Sequence, residues 1–281
     1  MQKIYLFSCY LNSSKNLNEE EQLKTMGDKF KQTAHRDYER IIVLSVNETF
    51  KRLPKSEQFR IKDYSHIEKQ LKRYDIPYQE KWLRSGYSMW KPVMILEALQ
   101  LIPQDTYLVY HDLNLDSYGD YHNNIALSPR KIISSMKKRS ILAFRQYGKR
   151  CFMDTKSKLI SEFELNEYSL GYWAGCIVIK NNREGRSFIE SWISLCIPQN
   201  ALPLPDAPKS NRNRKFITHS SDQAILGALI TKELRKRNGN IKTLALLNRN
   251  IHGGELHLRT LASRSKSAIL TAISKLNLCK H

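Results

Sequence analysis

The chain has 281 residues, of which 41% are hydrophobic and 10% aromatic, so it can build one large α/β domain with a sizeable core. It has no apolar run of membrane-spanning length, and its first residues lack the long apolar stretch of a signal peptide. We therefore expect neither a transmembrane helix nor a leader. The formal net charge of +19 predicts an anionic partner of one of three kinds: nucleic acid, an anionic membrane surface or an acidic glycan.

The cysteines indicate a reducing environment. They are five in number, scattered, and without the spacing of a metal site. An odd and irregular set of this kind is typical of buried free thiols in a cytosolic protein, where disulfides are rare. The five residues are Cys9, Cys151, Cys176, Cys196 and Cys279.

The first quarter of the chain contains two predicted strands and two predicted helical stretches. Lys3–Ser8 and Arg40–Ser45 are short apolar runs with polar neighbours, as is typical of buried strands. Glu19–His35 has a helical pattern, and the acidic residues in its first turn favour the helix dipole. Asn47–Ile76 is mostly charged and predicts helix without recognisable chemistry.

The stretch from 86 to 120 carries the most specific pattern of the sequence. Pro92 lies near the first turn of a predicted helix, where its missing N–H costs nothing, and an apolar face follows. Thr106–Tyr110 is a predicted buried strand, and residues 111–116 after it are rich in carboxylate and amide oxygens. Open α/β sheets bind ligands beyond the carboxyl ends of their strands, and hard divalent cations prefer such oxygens. These oxygens would therefore suit a divalent cation, which a nucleotide diphosphate would need.

The middle of the chain predicts helices, strands and one long loop. Pro129–Lys138 and Arg183–Cys196 are helical patterns, and Ile141–Phe144 and Ile177–Ile179 are strand patterns. Pro198–Lys215 contains four prolines among polar and basic residues, which predicts a loop. Such a long loop is either a lid that grips an acceptor or a disordered insertion.

The last part of the chain predicts a helix, a strand and a basic tail. Ala224–Lys236 is a helical pattern preceded by Ser221, a favourable N-cap, and Thr243–Leu247 is a strand pattern. Residues 256–281 combine basic and apolar residues without any acidic one, which predicts a basic amphipathic helix. This helix either lies on anionic lipid or packs on the domain with its charges in water. The predicted boundary therefore separates one large domain, 1–255, from the tail, 256–281.

Taken in order, these features resemble one bacterial polysaccharide branch of the GT-A-type glycosyltransferases. That branch has a Gly/Tyr/Trp-rich run ending in W-K-P, then a helix and a strand ending in Y-x-D. The corresponding residues here are Trp90-Lys91-Pro92 and Tyr110-His111-Asp112. The chain departs from the pattern at Ser88, where the branch often has an aromatic residue, and at Asn114, which replaces the second carboxylate of D-x-D. The resemblance implies a single GT-A-like α/β domain, with a central mixed sheet and helices on both faces.

The resemblance also implies a divalent cation, Mn²⁺ or Mg²⁺, that bridges the diphosphate of a nucleotide-sugar donor. Asp112 would bind it, together with Asn114 or Asp116. Amide oxygen is a weaker ligand than carboxylate, so Asp116 would compensate for the replaced residue. A late histidine often completes the ligands in such enzymes, which makes His252 a candidate, with a structural role as the alternative.

The donor is expected at the same end of the sheet. Ser8 and Tyr10 follow the first strand and are candidate contacts, unless they are loop residues without a ligand. Arg84 and Lys91 are candidate cations near the diphosphate, or else charges at a solvated helix start. The full set implied to contact the nucleotide sugar is Ser8, Tyr10, Arg84, Tyr87, Trp90, Lys91, Tyr110, His111 and Asp112.

Two further segments are implied to contact the transferred sugar or the acceptor. Asp222 and Gln223 resemble the D-Q motif that many GT-A enzymes place beside the sugar, whereas helix capping by Asp222 is the structural alternative. A tryptophan followed by small residues, ahead of a predicted strand, suits an acceptor platform with close backbone approach, or simply a tight start of the strand. The acceptor and sugar candidates are Trp173, Ala174, Gly175 and His219.

These features predict a glycosyltransferase that moves a sugar from a nucleotide-sugar donor to a bacterial surface polysaccharide or a lipid-linked oligosaccharide. We expect it in the cytoplasm, peripheral on the inner face of the plasma membrane, without a nucleic-acid partner. One alternative is a nucleotidyltransferase of related fold, although no glycine-rich basic phosphate loop follows the first strand. The other is a non-enzymatic nucleic-acid-binding protein, which would explain the charge. No helix-turn-helix, RNA-recognition or zinc signature supports it.

Overall fold

The structure is a computed structural model, in which one mixed α/β sheet is flanked by helices. It describes residues 2–12, 17–34, 36–52, 88, 90–113, 129–136, 138–151, 155–166, 168–196, 221–236, 239–247 and 257–260. The strands are β1 (Ile4–Tyr10), β2 (Arg40–Ser45), β3 (Tyr107–His111), β4 (Ile141–Arg150), β5 (Leu170–Lys180), β6 (Ile241–Leu247) and β7 (His257–Thr260). The helices are α1 (Leu17–Thr33), α2 (Val46–Arg52), α3 (Lys91–Gln100), α4 (Pro129–Met136), α5 (Ser157–Glu162), α6 (Arg183–Leu195) and α7 (Ser221–Arg235).

The strands of the described residues follow the spatial order β2-β1-β3-β5-β4-β6-β7. β1 is parallel to both of its neighbours, β2 and β3. β5 runs antiparallel to β3 and β4, β6 is parallel to β4, and β7 is antiparallel to β6. The carboxyl ends of β1, β3, β4 and β6 therefore lie together, at what we call the carboxyl end of the sheet; the opposite side is the amino end.

Two hydrophobic clusters cover the two faces of the sheet, because successive strand residues point to opposite sides. On one face, Tyr5 and Phe7 of β1 belong to the cluster shared with α2, α3, α5, α6 and α7. On the other face, Ile4 and Leu6 belong to the cluster shared with α1 and α4. We call these the α3 face and the α1 face. The predicted fold class, a single α/β arrangement with a central mixed sheet and helices on both faces, is confirmed.

The predicted elements of the described region lie within a few residues of the observed ones, with four differences. β4 continues to Arg150, although the sequence after Phe144 favours a polar irregular segment. β5 begins at Leu170, well before the predicted start at Ile177. The predicted start is too late because the glycines in this segment disfavour strand in a sequence pattern. The two extensions pair with each other, Arg150 opposite Leu170. The short helix α5 was not predicted, and His257–Thr260 form β7 where the pattern predicted a helical tail.

Other expectations divide between the described and the undescribed residues. The four described cysteines are buried free thiols, as predicted. None of the described helices is long and apolar enough to cross a membrane. The predicted loop Pro198–Lys215, the rest of the predicted tail, 261–281, and most of Asn47–Ile76 lie outside the described residues.

Candidate active site at the carboxyl end of β3

The strand order reverses between β1 and β3. The chain leaves β1 and returns as β2 on one side of it, whereas β3 lies on the other side. In open α/β sheets, the crevice beyond the carboxyl ends of two such strands is where ligands bind. Asp112 follows β3 directly and stands at this crevice. The topology therefore locates the candidate site at the carboxyl end of β3.

Lys91 reaches this end of the sheet from α3. The residue opens the helix, and Pro92 occupies a first-turn position where it lacks no hydrogen bond. The following turns bury an apolar face that includes Met94, Ile95 and Leu99 in the α3-face core. Because that face fixes the helix against the sheet, the Lys91 side chain is held inside the protein, with only 7% of it exposed.

The Lys91 ammonium lies between two carboxylates from distant parts of the chain. Its Nζ is 3.1 Å from Oδ1 of Asp112 and 2.9 Å from Oδ2 of Asp222, in the first turn of α7. The Tyr110 hydroxyl donates a hydrogen bond to the same Asp112 oxygen, at 2.5 Å, and the Tyr110 ring centroid is 5.7 Å from Nζ. We call Lys91, Asp112 and Asp222 the charge cluster. The carboxylate side chains are 23% and 12% exposed.

The charge cluster contains one more negative group than positive. Burial lowers the pKa of the Lys91 ammonium, but Asp112 and Asp222 together outweigh burial and raise this pKa above its usual value. Burial raises the pKa of the Asp222 carboxyl; Lys91 opposes this shift and Asp112 adds to it. Burial, and then Asp112, also raise the pKa of the Tyr110 phenol well above its usual value. At neutral pH, Lys91 is therefore charged, and Tyr110 is a neutral donor.

Cys9 and Cys196 are buried thiols that respond to the charges of the cluster, and sequence reasoning did not select either as a site residue. Burial and the Asp112 charge raise the pKa of Cys9, and burial and the Asp222 charge raise the pKa of Cys196. Both thiols are therefore neutral at physiological pH. The sequence did carry a signal for Cys9: it shares the α3 face with Tyr5 and Phe7, whereas the predicted contact Ser8 points to the other face.

A bulge in β5 completes the wall of the site. Between Ala143 and Arg145 of β4, the pairing shifts from Ile177 to Tyr172 on β5, so β5 carries extra residues there. Bulges of this kind are common next to active sites, where they redirect side chains. A Cβ on Gly175 would lie 2.4 Å from the Trp173 indole, so only glycine leaves room for that ring.

The bulged segment makes three backbone contacts with the site. The Asp112 N–H donates to the Gly175 carbonyl at 2.8 Å, and the Ala174 N–H donates to the Gln223 side-chain oxygen at 3.4 Å. The Lys91 ammonium donates to the Ala174 carbonyl at 3.5 Å. The ends of β3, α3 and α7 are therefore tied to one stretch of β5.

The structure separates the predicted site residues into two groups. Of the predicted site residues that the structure describes, most meet at the charge cluster or at the bulge beside it. Trp90 is instead buried in the core at the start of α3. The residues at the cluster or at the bulge beside it are Lys91, Tyr110, Asp112, Ala174, Gly175, Asp222 and Gln223.

The remaining described candidates lie on the α1 face. His111 and Trp173 are buried there, with their rings edge to face and 5.4 Å between centroids. Ser8 is fully buried, and Tyr10 has its hydroxyl 3.5 Å from a Glu20 oxygen of α1. The candidates Arg84, Tyr87, Asn114, Asp116, His219 and His252 lie outside the described residues.

The described part of the site fits a divalent cation at one residue. Asp112 Oδ1 is engaged by Tyr110 and Lys91, whereas Oδ2 makes no hydrogen bond or ion pair with a described residue. A partly exposed carboxylate oxygen at the carboxyl end of a strand suits a hard cation. No group of three or more His, Cys, Asp or Glu side chains within the described ranges is placed to hold a metal. The other predicted ligands, Asn114, Asp116 and His252, lie outside the described residues.

Two glycosyltransferases are among the solved structures that this chain resembles. One is a galactosyltransferase, LgtC, in complex with donor and acceptor sugar analogues: 12% identity, TM-score 0.37, covering 85% of this chain and 72% of that chain. The other is mouse xyloside xylosyltransferase 1 in its apo form: 11% identity, TM-score 0.38, covering 86% of this chain and 85% of that chain. No family model and no curated protein matches the sequence.

Proposed function

We propose that this protein is a glycosyltransferase that transfers a sugar from a nucleotide-sugar donor to a bacterial surface polysaccharide or lipid-linked oligosaccharide. The observation that supports this most strongly is the charge cluster. Lys91, Asp112 and Asp222 each belong to a motif by which the sequence resembles the GT-A branch, and these motifs are far apart in the chain. Side chains of all three meet at the topological switch point of the sheet.

The cluster suits the chemistry of this reaction. During transfer, the bond from the sugar to the donor phosphate breaks and a bond to the acceptor hydroxyl forms, through an oxocarbenium-like state. Asp222 is ion-paired with Lys91 at 2.9 Å and carries a raised pKa. It would orient the sugar or, in an inverting reaction, take the proton of the acceptor hydroxyl. A divalent cation, Mn²⁺ or Mg²⁺, bound by Asp112 would neutralise the charge that builds up on the leaving diphosphate.

The site does not suit a protein that binds nucleic acid through phosphate contacts. Such contacts need exposed cations that can replace the counterions of the phosphate backbone. Lys91 is only 7% exposed and faces two carboxylates, so the cluster repels a polyanion that is not accompanied by a cation. The net charge of +19 is better explained by an anionic acceptor or by a membrane surface that carries the acceptor.

Membrane association is part of the proposal and has its own test. Residues 261–281 retain Arg264, Lys266, Lys275 and Lys280 and contain no acidic residue. Each such cation contributes about 1 kcal/mol near an anionic surface. Deleting 261–281, which leaves β7 in place, should release the protein from anionic vesicles while transfer to a soluble acceptor persists. Equal vesicle binding by the full-length and truncated proteins would show that the tail does not bind the membrane and that its charges merely face water.

The donor can be identified by a thermal-shift screen with UDP, GDP, CMP and their sugars, each with and without Mn²⁺. A ligand at about 100 times its Kd stabilises the folded state by about 2.7 kcal/mol. We expect one nucleotide family to raise the Tm by several degrees, more so with Mn²⁺. Asp112→Asn should abolish the shift. Asp105→Asn is the matched control, because Asp105 is an exposed carboxylate at the amino end, paired with Lys180 at 2.7 Å. Salt-dependent binding to duplex DNA without any nucleotide effect would contradict the proposal.

A further inference from the structure

The ammonium of Lys91 lies on the carboxylate that a divalent cation would use. Its Nζ is 3.1 Å from Asp112 Oδ1, inside the protein, where charges are poorly screened. Two cations on one carboxylate repel each other, and this repulsion is large at an effective dielectric constant well below that of water. Within the described residues, Lys91 is the cation in contact with Asp112. The ligand-free site therefore already contains a positive charge at Asp112.

We propose that Lys91 is an internal cation that competes with the divalent cation for Asp112, and that metal binding transfers its ammonium toward Asp222. The inference rests on the proposed function, because it takes Asp112 as a ligand of the metal. Lys91 thereby regulates the loading of the site: it keeps the site weak for metal until a donor arrives.

The Lys91 ammonium can shift toward Asp222 with little rearrangement of the protein. Its Nζ is already 2.9 Å from Asp222 Oδ2 and 3.5 Å from the Ala174 carbonyl, so the ammonium keeps two partners when it leaves Asp112. Only the end of the flexible side chain has to move. The backbone of α3 stays in place, because its last turn is fixed by Asn181, whose side-chain amide donates to the Leu99 carbonyl at 2.9 Å.

The charges explain why the donor would relieve this competition. Two carboxylates and one ammonium give the charge cluster a net charge of −1. A divalent cation changes this to +1, and the positive excess is then matched by an anionic diphosphate. Metal alone is opposed by Lys91, whereas metal and diphosphate together balance the site. We therefore expect each to tighten the binding of the other, as linkage requires.

Titration of the ligand-free protein with Mn²⁺, followed by electron paramagnetic resonance of the free ion, tests the inference without any activity measurement. Lys91→Met keeps an unbranched apolar stem and removes the charge. It should lower the Kd for Mn²⁺ by about tenfold or more, as expected when a unit charge about 4 Å away is removed in a partly buried site. Lys180→Met is the matched control: it removes an ammonium that pairs with Asp105 at the amino end, and it should leave the Kd unchanged.

Two further variants separate the failure of this inference from the failure of the proposed metal site. If Asp112→Asn weakens Mn²⁺ binding but Lys91→Met leaves the Kd as it is, the metal site stands and the competition is refuted. If Asp112→Asn changes nothing, the assignment of Asp112 as a ligand is wrong. Should Lys91→Met not fold, the double variant Lys91→Met/Asp222→Asn removes the unmatched carboxylate as well. This double variant should bind Mn²⁺ with a much lower Kd than Asp222→Asn alone. Equal Kd values for these two variants would contradict the competition.

Discussion

The two ends of α3 meet the sheet in different ways. At the carboxyl end, Lys91 lies between Asp112 and Asp222, two buried or half-buried carboxylates. At the amino end, the Asn181 side-chain amide lies 2.9–3.0 Å from three backbone carbonyls at the end of α3, and its oxygen accepts from Arg186 at 2.8 Å. The three carbonyls belong to Leu99, Ile102 and Pro103.

The two ends differ in whether hydrogen-bond donors match acceptors and positive charges match negative ones. Around Asn181, donors match acceptors, and the nearby Lys180–Asp105 pair is neutral, with an exposed Asp105 carboxylate. This is the arrangement expected where polar groups stabilise a fold. The charge cluster leaves one negative charge unmatched among the described residues, and folding alone gives no reason to bury it. Uncompensated buried charge is typical of a functional site, so we assign structure to the amino end and function to the carboxyl end.

Removing the charge of Lys91 should have the largest effect on stability. In Lys91→Met, Asp112 and Asp222 face each other without a counter-ion, and breaking a buried pair in this way costs about 3–5 kcal/mol. Urea unfolding measures this loss. The matched variant Lys180→Met breaks a pair whose carboxylate partner is exposed to solvent and should cost about 1 kcal/mol or less. Equal losses in both variants would remove the contrast between the two ends.

Removing the Asn181 side chain should affect stability alone. Asn181→Ala leaves the carbonyls of the last α3 turn without their donor, which should cost about 2–3 kcal/mol. The rate of sugar transfer per folded molecule should stay within about twofold of the wild type, because the lost contacts lie at the opposite end of the sheet from the charge cluster. Transfer is measured below the Tm of the variant. A large fall in transfer with unchanged unfolding would place function at the amino end too.

The pH dependence of stability has a sign that distinguishes burial from ion pairing at Asp222. Its folded-state pKa is raised above the ordinary 3.8, chiefly by burial, so the folded state binds the proton more tightly than the unfolded state. Stability from this group therefore increases as pH falls through the raised pKa toward 3.8, and it is constant below. Wild type should gain stability relative to Asp222→Asn as pH is lowered over this window, in urea unfolding at a series of pH values. A relative loss would mean that Lys91 outweighs burial and lowers the pKa.

Part of this arrangement could be predicted because its signals are local. Pro92 and the apolar positions after it predict α3, and the apolar run before His111 predicts β3, each within a few residues of the observed bounds. The carboxyl end of β3 then follows as a ligand site from general rules of α/β sheets. Asp222 was selected by its resemblance to a motif, and it does lie against Lys91.

The rest depends on long-range pairing, which no local pattern reveals. The sequence does not tell that β5 lies beside β3, that its bulge brings Ala174 to Gln223, or that Lys91 turns inward between two carboxylates. Gly171 and Gly175 disfavour strand locally, yet Gly171 lies between two residues paired with β4, and Gly175 precedes Cys176, which is paired with β3. A polar residue near a strand end also misleads, since Ser8 points away from the charge cluster.

The claim that the charge cluster is the active site is tested most directly by comparing Asp222→Asn with Asp105→Asn, using the nucleotide sugar that the thermal-shift screen identifies. Both variants replace one ion-paired carboxylate by an amide, one at each end of the sheet, and Asn tolerates the positive φ of 59° at position 105. We predict that kcat/KM falls by at least about 100-fold in Asp222→Asn, as is typical for loss of a positioned acid or base, while Asp105→Asn keeps the wild-type value. Full turnover by Asp222→Asn would contradict the claim that the charge cluster is the active site.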